Sequence, residues 1–308
     1  MDLIAVHKSV GKAIIWSGGG QNFQMSVKVN IIEQGRTYTL PLLKEPRYGH
    51  CVVTTNQKEI LIVGGMKKLF GYSLPEDEGK QVLVFKDGKW IHHSNLTEQR
   101  VYSVVVQMPN GIYVFGGMHN PETSEFLPNG SKEWQPGPCL PGEGIWKGSG
   151  VSISQHDLVL VGGNNTFLCQ ERLLKFNIIT QEWTLVANLK NFGNTSCAIY
   201  KNSIFVDNTQ IIDISTGTVR NGAIMNHGRY GHAMGVMKWD GVPRLVIVKG
   251  FCHDEKEVNT IEAWNEFTEE WEVVQEDLTK EIVDQPPGNS SDLHHQQRDS
   301  HRSMCILL

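Results

Sequence analysis

Three arginines stand beside aromatic residues in short related stretches: Arg47-Tyr48 in EPRYGHCVV, Arg100 two places before Tyr102 in RVYS, and Arg229-Tyr230 in HGRYGHAMGV. A planar guanidinium offers paired N–H donors that match a carboxylate, and a neighbouring ring adds apolar contact area, so such a set suits the reading of an acidic peptide or another anion. Trp146-Lys147 in WKGS adds a second kind of cation to the set. The competing reading is internal, with each arginine bracing a neighbouring strand. A different chemistry stands at the last four residues. Cys305-Ile306-Leu307-Leu308 fits the C-a-a-X pattern, in which a prenyltransferase alkylates the thiol and methylation follows; a terminal leucine favours geranylgeranyl. Catalytic patterns are otherwise missing: there is no nucleophile elbow, phosphate loop or triad. Cys252-His253-Asp254-Glu255 is the densest ligand-like run, but it lies in a single loop-like stretch. No metal and no cofactor are expected.

Composition narrows the partners. A net charge of −5 over 308 residues, with no basic stripe, argues against nucleic acid. The six cysteines are scattered singly, without the spacing of a zinc site or a disulfide framework, which suits reduced thiols in the cytoplasm. The opening MDLIAVHKSVGKAIIW lacks the basic and apolar regions of a secretory signal, and no apolar run reaches the roughly 18 residues that cross a bilayer.

Positioning these residues requires a repeating element. The arginines of the two RYGH copies are 182 residues apart, four steps of about 45. A β-rich run ending in paired glycine recurs as AIIWSGG, ILIVGG, IYVFGG and LVLVGG, and continues in altered form as SIFVDN and LVIVKG. The first residue of each pair falls at 18, 64, 116, 162, 207 and 249, in steps of 46, 52, 46, 45 and 42. An aromatic follows in most units: Tyr38, Trp90, Trp134, Trp183 and Trp271, with Val219 in its place in the fifth. With one strand-like run opening each unit and another between these landmarks, the pattern predicts four short strands per unit, the content of one β-propeller blade.

This pattern resembles the kelch family, whose blades carry a di-glycine at the end of the second strand and a tryptophan in the fourth. The resemblance implies an all-β fold, a six-bladed propeller over residues 1–278, with blades at about 1–45, 46–98, 99–143, 144–190, 191–226 and 227–278. Glycine in the pair permits positive φ and close approach of the tryptophan of the same blade. Asp207-Asn208 and Lys249-Gly250 depart from it, so blades five and six are expected to be the least regular. In kelch propellers the segments before the first strands gather on one face. That brings Arg47, Arg100, Arg229, Tyr48, Tyr102, Tyr230, Trp146 and Lys147 together as a partner-binding mouth. The long loop 66–81 should add Phe70 and Tyr72.

From 279 to 308 the chain turns polar and is expected to be disordered. Asp292, Arg298, Asp299 and Arg302 cancel in charge, so a prenyl group would act without a polybasic second signal and hold the protein reversibly on a cytosolic membrane surface. The function these features imply is a non-enzymatic adaptor that binds a protein through its loop face. Two alternatives remain: an enzyme acting on a small anionic, sugar-like metabolite at the channel mouth, and a ubiquitin-ligase substrate receptor working with a partner subunit.

Overall fold

The computed structural model describes residues 14–17, 20, 21, 24, 25, 29–33, 36–67, 77–164, 171–190, 196–207, 210–254, 256–278, 282, 283, 305 and 306. Five four-stranded antiparallel sheets, one for each of units two to six, follow one another as the blades of a β-propeller, each with its strands in chain order. Unit two, for example, comprises Cys51–Thr54, Ile60–Val63, Gln81–Lys86 and Lys89–Asn95. Among the described residues all regular elements are strands and none is a helix. First strands stand next to one another from unit to unit, Cys51–Thr54 by Val104–Met108, then Ser149–Ser152, Cys197–Tyr200 and Ala233–Trp239.

The burial pattern follows from face-to-face packing of blades. Second strands such as Ile60–Val63 and Gly111–Phe115 are buried at every position, because both faces of a blade meet a neighbour. In Asp157–Val161, Leu158 and Leu160 pack with Val104, Val106 and Phe115 of unit three, while Val159 and Val161 pack with Ile204 and Val206 of unit five. That is the two-residue period of a strand used on both sides. In units two to four the tryptophan fastens its blade to the one before it. Trp90 Nε1 donates to the Pro41 carbonyl at 2.8 Å, Trp134 to Ser94 Oγ at 3.0 Å, and Trp183 to the Cys139 carbonyl at 2.9 Å.

The paired glycines serve a different contact from the expected one. A Cβ on Gly64 would lie 2.3 Å from the Arg100 carbonyl oxygen, and one on Gly116 1.9 Å from that of Ile145, so the crowding comes from the backbone of the next blade rather than from the tryptophan of the same blade. The second glycine turns this proximity into a bond: Gly65 N–H donates to Arg100 O and Gly117 N–H to Ile145 O, both at 2.9 Å. At Lys249, where the first glycine is replaced, its left-handed backbone persists, with φ of 59° beside 67° at Gly64.

Unit five is irregular in a definite way. Val63, Phe115 and Val161, the residues before the pair in units two to four, pack toward the following unit. Val206 packs back toward unit four instead, and Phe205 faces Trp264 of unit six. Its strands are thus displaced by one residue relative to the repeat, which exchanges their two faces.

Unit one lies in a five-stranded sheet. Ile14–Ser17, Val29–Glu33 and Arg36–Thr39 form its centre, flanked by Cys305–Ile306 beside the first and Ile282–Val283 beside the last, both parallel. These two pairs of residues therefore depart from the structureless tail expected after 278; the remainder of that tail lies outside the described residues.

Candidate functional site

The three arginines are inside the blades. Arg100 is fully buried, Arg47 is 2% exposed and Arg229 8%. In each, Nη1 donates to the carbonyl of the first residue of the pair in its own blade: Gly64 at 2.8 Å, Gly116 at 2.8 Å and Lys249 at 3.3 Å. Most of the other nitrogens are taken as well, Arg47 Nε being enclosed without a partner. Arg47 reaches Gln81 Oε1, Arg100 Nε meets Glu125 Oε1 at 2.8 Å, and Arg229 Nη2 meets Glu262 and, at 2.7 Å, Thr260 Oγ1. The carboxylates are saturated in turn. Glu125 accepts from Thr97 N–H at 2.7 Å and Glu262 from Asn226 N–H at 2.7 Å and His227 N–H at 3.0 Å. Burial pushes the Glu262 carboxyl up, but these donors and Arg229 outweigh it and leave it below its ordinary range. The expectation of an arginine-lined mouth is corrected at Arg47, Arg100 and Arg229. A guanidinium enclosed in this way presents no exposed edge to a partner.

The aromatic residues of the same segments do reach the surface. Tyr48, Tyr102, Trp146 and Lys147 are half-buried, and Tyr230 is 41% exposed. Tyr48 and Tyr102 meet edge to face with centroids 5.3 Å apart, and Tyr102 and Trp146 lie 6.0 Å apart. Three consecutive blades thereby contribute one row of rings, in the contact geometry such rings prefer. Lys147 Nζ sits 4.8 Å from the Tyr102 centroid and 4.9 Å from that of Trp146. Tyr230 stands apart in unit six, paired with Phe251 at 6.1 Å. Phe70 and Tyr72 lie outside the described residues.

The backbone that presents this row is unusual. Aligning the four segments on their first strands sets Gly49, Tyr102, Lys147 and Gly231 at one position, with φ of 64°, 59°, 57° and 60°. Units two and six meet the left-handed requirement with glycine. Units three and four meet it with a tyrosine and a lysine, at a cost of about 1 kcal/mol each. Hydrogen bonds hold the rim together across blades: Tyr102 N–H donates to Gly49 O at 2.6 Å and Lys147 N–H to Tyr102 O at 2.8 Å. Burial lowers the Lys147 ammonium from its ordinary value, and burial with the neighbouring Tyr48 hydroxyl raises the Tyr102 phenol.

Lining the segments up on their first strands puts Val101, not Tyr102, at the position of Tyr48. Gly49 and Gly231 were the available signal, since lining up the segments puts Tyr102 and Lys147 beneath them. Phe251 was also missed, because it follows the altered Lys249-Gly250 pair.

A second polar group lies between units five and six. The Asp207 side chain, 15% exposed, accepts from Ser196 N–H at 2.8 Å and lies 4.0 Å from Nε2 of His232, which is 1% exposed. Burial pushes Asp207 up to about 7 and His232 down to about 4. In the Cys252 loop the thiol donates to Asp254 at 2.7 Å and Lys256 pairs with the same carboxylate at 2.5 Å. Among the described residues no group of histidine, cysteine and carboxylate side chains converges as metal ligands would.

No family model matches this chain, and no curated protein matches it.

Proposed function

We propose that the protein is a non-enzymatic interaction scaffold of the kelch type, with the sheet of unit one completing a six-bladed ring, that docks a protein partner on the rim of units two to four. One observation carries this reading: Tyr48, Tyr102 and Trp146 form a continuous row of partly exposed rings on rigid blades. Half-exposed aromatics at strand ends are the residues that most often anchor a partner. The ring count is supported by the placement of Cys305–Ile306 between the first strands of units six and two, where a further blade would stand.

Replacing Tyr48 and Trp146 by alanine tests the docking role. The expected result is loss of a protein cross-linked to the rim in cells, with the unfolding midpoint within a few degrees of wild type. Retention of the same cross-linked protein by the double variant would remove the rim as the docking site.

The second half of the proposal concerns the membrane. The C-a-a-X match at Cys305 supports geranylgeranylation by a prenyltransferase, giving reversible, peripheral attachment to cytosolic membrane surfaces. Among the described residues two pairs join Cys305–Ile306 to Ile14 and Ile15. A transferase would have to draw the segment away from this strand and from the first strands of units six and two beside it.

A further inference from the structure

We propose that Lys147 and the rings beside it form a subsite for one carboxylate of an acidic partner segment, with the adjoining apolar side chain of that segment lying on the Tyr48–Tyr102–Trp146 row. The inference rests on the docking role of the rim proposed above and specifies the chemistry of its occupant.

Charge is the first support. Among the described residues Lys67, Lys201, Lys249 and Lys256 each reach a carboxylate, of Glu45, Glu266, Glu257 and Asp254 respectively, and Lys44, Lys86, Lys89, Lys132 and Lys238, which reach none, stand exposed in water. Lys147 reaches none; its ammonium is half-buried against two ring faces, and no charged neighbour offsets its desolvation. A cation drawn partly out of water is completed by an anion, and here the anion must come from outside the rim.

Backbone is the second support. Lys147 and Tyr102 hold left-handed φ at the position where Gly49 and Gly231 do so without strain. Strain kept at two adjacent blades, and there producing a lysine clasped by the neighbouring tyrosine, marks a place where side-chain presentation outweighs conformational ease.

Length is the third. The two ring-to-ring steps of 5.3 and 6.0 Å cover up to about 11 Å. An extended chain advances about 3.3 Å per residue, so the row accommodates three to four residues of a peptide, more than a single small molecule requires.

The test is selection of random twelve-residue peptides on phage against the full-length protein, followed by titration of the best synthetic peptide. Lys147→Gly is the key variant, because it installs the residue that units two and six carry at this position. Peptides selected by wild type should be enriched in aspartate or glutamate next to phenylalanine, leucine or isoleucine. Their affinity should fall tenfold or more in Lys147→Gly, and equally when the peptide carboxylate is replaced by its amide, while the unfolding midpoint of Lys147→Gly stays the same or rises. Should the glycine variant fail to fold, Lys147→Gln carries the same expectation for affinity. If peptides lose binding to Tyr48→Ala/Trp146→Ala yet bind Lys147→Gly as wild type, the carboxylate subsite is wrong and the docking rim stands. If no selected peptide is sensitive to the rim substitutions, the docking reading falls and this inference with it.

Discussion

At the scale of single residues, Arg47, Arg100 and Arg229 show how one side chain can satisfy two opposite readings of a sequence. Their type and their aromatic neighbours suit anion recognition. What decides against it is burial, which depends on the blade packed over them and leaves no mark in the local pattern. Arg100→Ala should therefore destabilise by about 3–5 kcal/mol, since it leaves the Glu125 carboxylate charged and enclosed without its guanidinium. Urea denaturation measures this; a loss below about 1 kcal/mol would return Arg100 to the surface role. Arg100→Lys should recover only part, because an ammonium cannot serve Glu125, Gly116 and Thr123 together from one plane. Asp207 and His232 make a second residue-scale case, with opposed pH dependences. Asp207 at about 7 is raised above its ordinary value, so it contributes stability at low pH that is lost as pH climbs from about 4 to about 7. His232 at about 4 is depressed, so its contribution is present above about 6.5 and is lost as pH falls toward 4. Arg229 and Glu262 also act on His232 and are common to every variant compared. Between pH 4 and 6.5 the two slopes offset each other in the wild type. His232→Gln should show an unfolding midpoint that drops as pH rises through that window, and Asp207→Asn one that drops as pH falls. Parallel profiles for the two variants would contradict the assignment.

At the scale of elements, four strands per unit were legible because the period of glycine pairs and aromatics reports a repeated local requirement. The partner in that requirement was not legible, since the atom crowding Gly116 belongs to Ile145, 29 residues further on in the next blade. Gly116→Val should accordingly destabilise by several kcal/mol, combining φ of 64° with a Cβ 1.9 Å from a backbone oxygen. Gly163→Val, whose Cβ would meet Trp146 O and Gly148 N at 2.8 Å, should cost less and should disturb the rim as well. Calorimetry of both variants gives the ranking, and the reverse order would count against inter-blade crowding as the cause. The displaced register of unit five was foreshadowed by Asp207-Asn208 and Val219, which break both landmarks. Which face its residues would take was not, because Cys197 to Tyr200 is apolar enough for either side.

At the scale of the whole molecule, the lipid proposed for Cys305 would compete with the pairing of Cys305–Ile306 with Ile14 and Ile15. Wild-type protein from cells with active prenyltransferases should divide between membrane and soluble fractions, and Cys305→Ser should be wholly soluble with an unchanged unfolding midpoint. Mass spectrometry of the C-terminal peptide checks the modification directly; an unmodified Cys305 still followed by Ile306-Leu307-Leu308 would refute it. The sheet of unit one has a further consequence for how the chain is made. Its last central strand, Arg36–Thr39, pairs with Val29–Glu33 on one side and gains its second neighbour only when Ile282–Val283 arrives. During synthesis, units two to six emerge in order and each can settle on its predecessor, while the edge of Arg36–Thr39 waits for a segment made after all of them. The nascent chain therefore carries an unfinished seam until residues 282 and 283 are made, and a ribosome stalled before residue 282 would display that seam to chaperones and proteases.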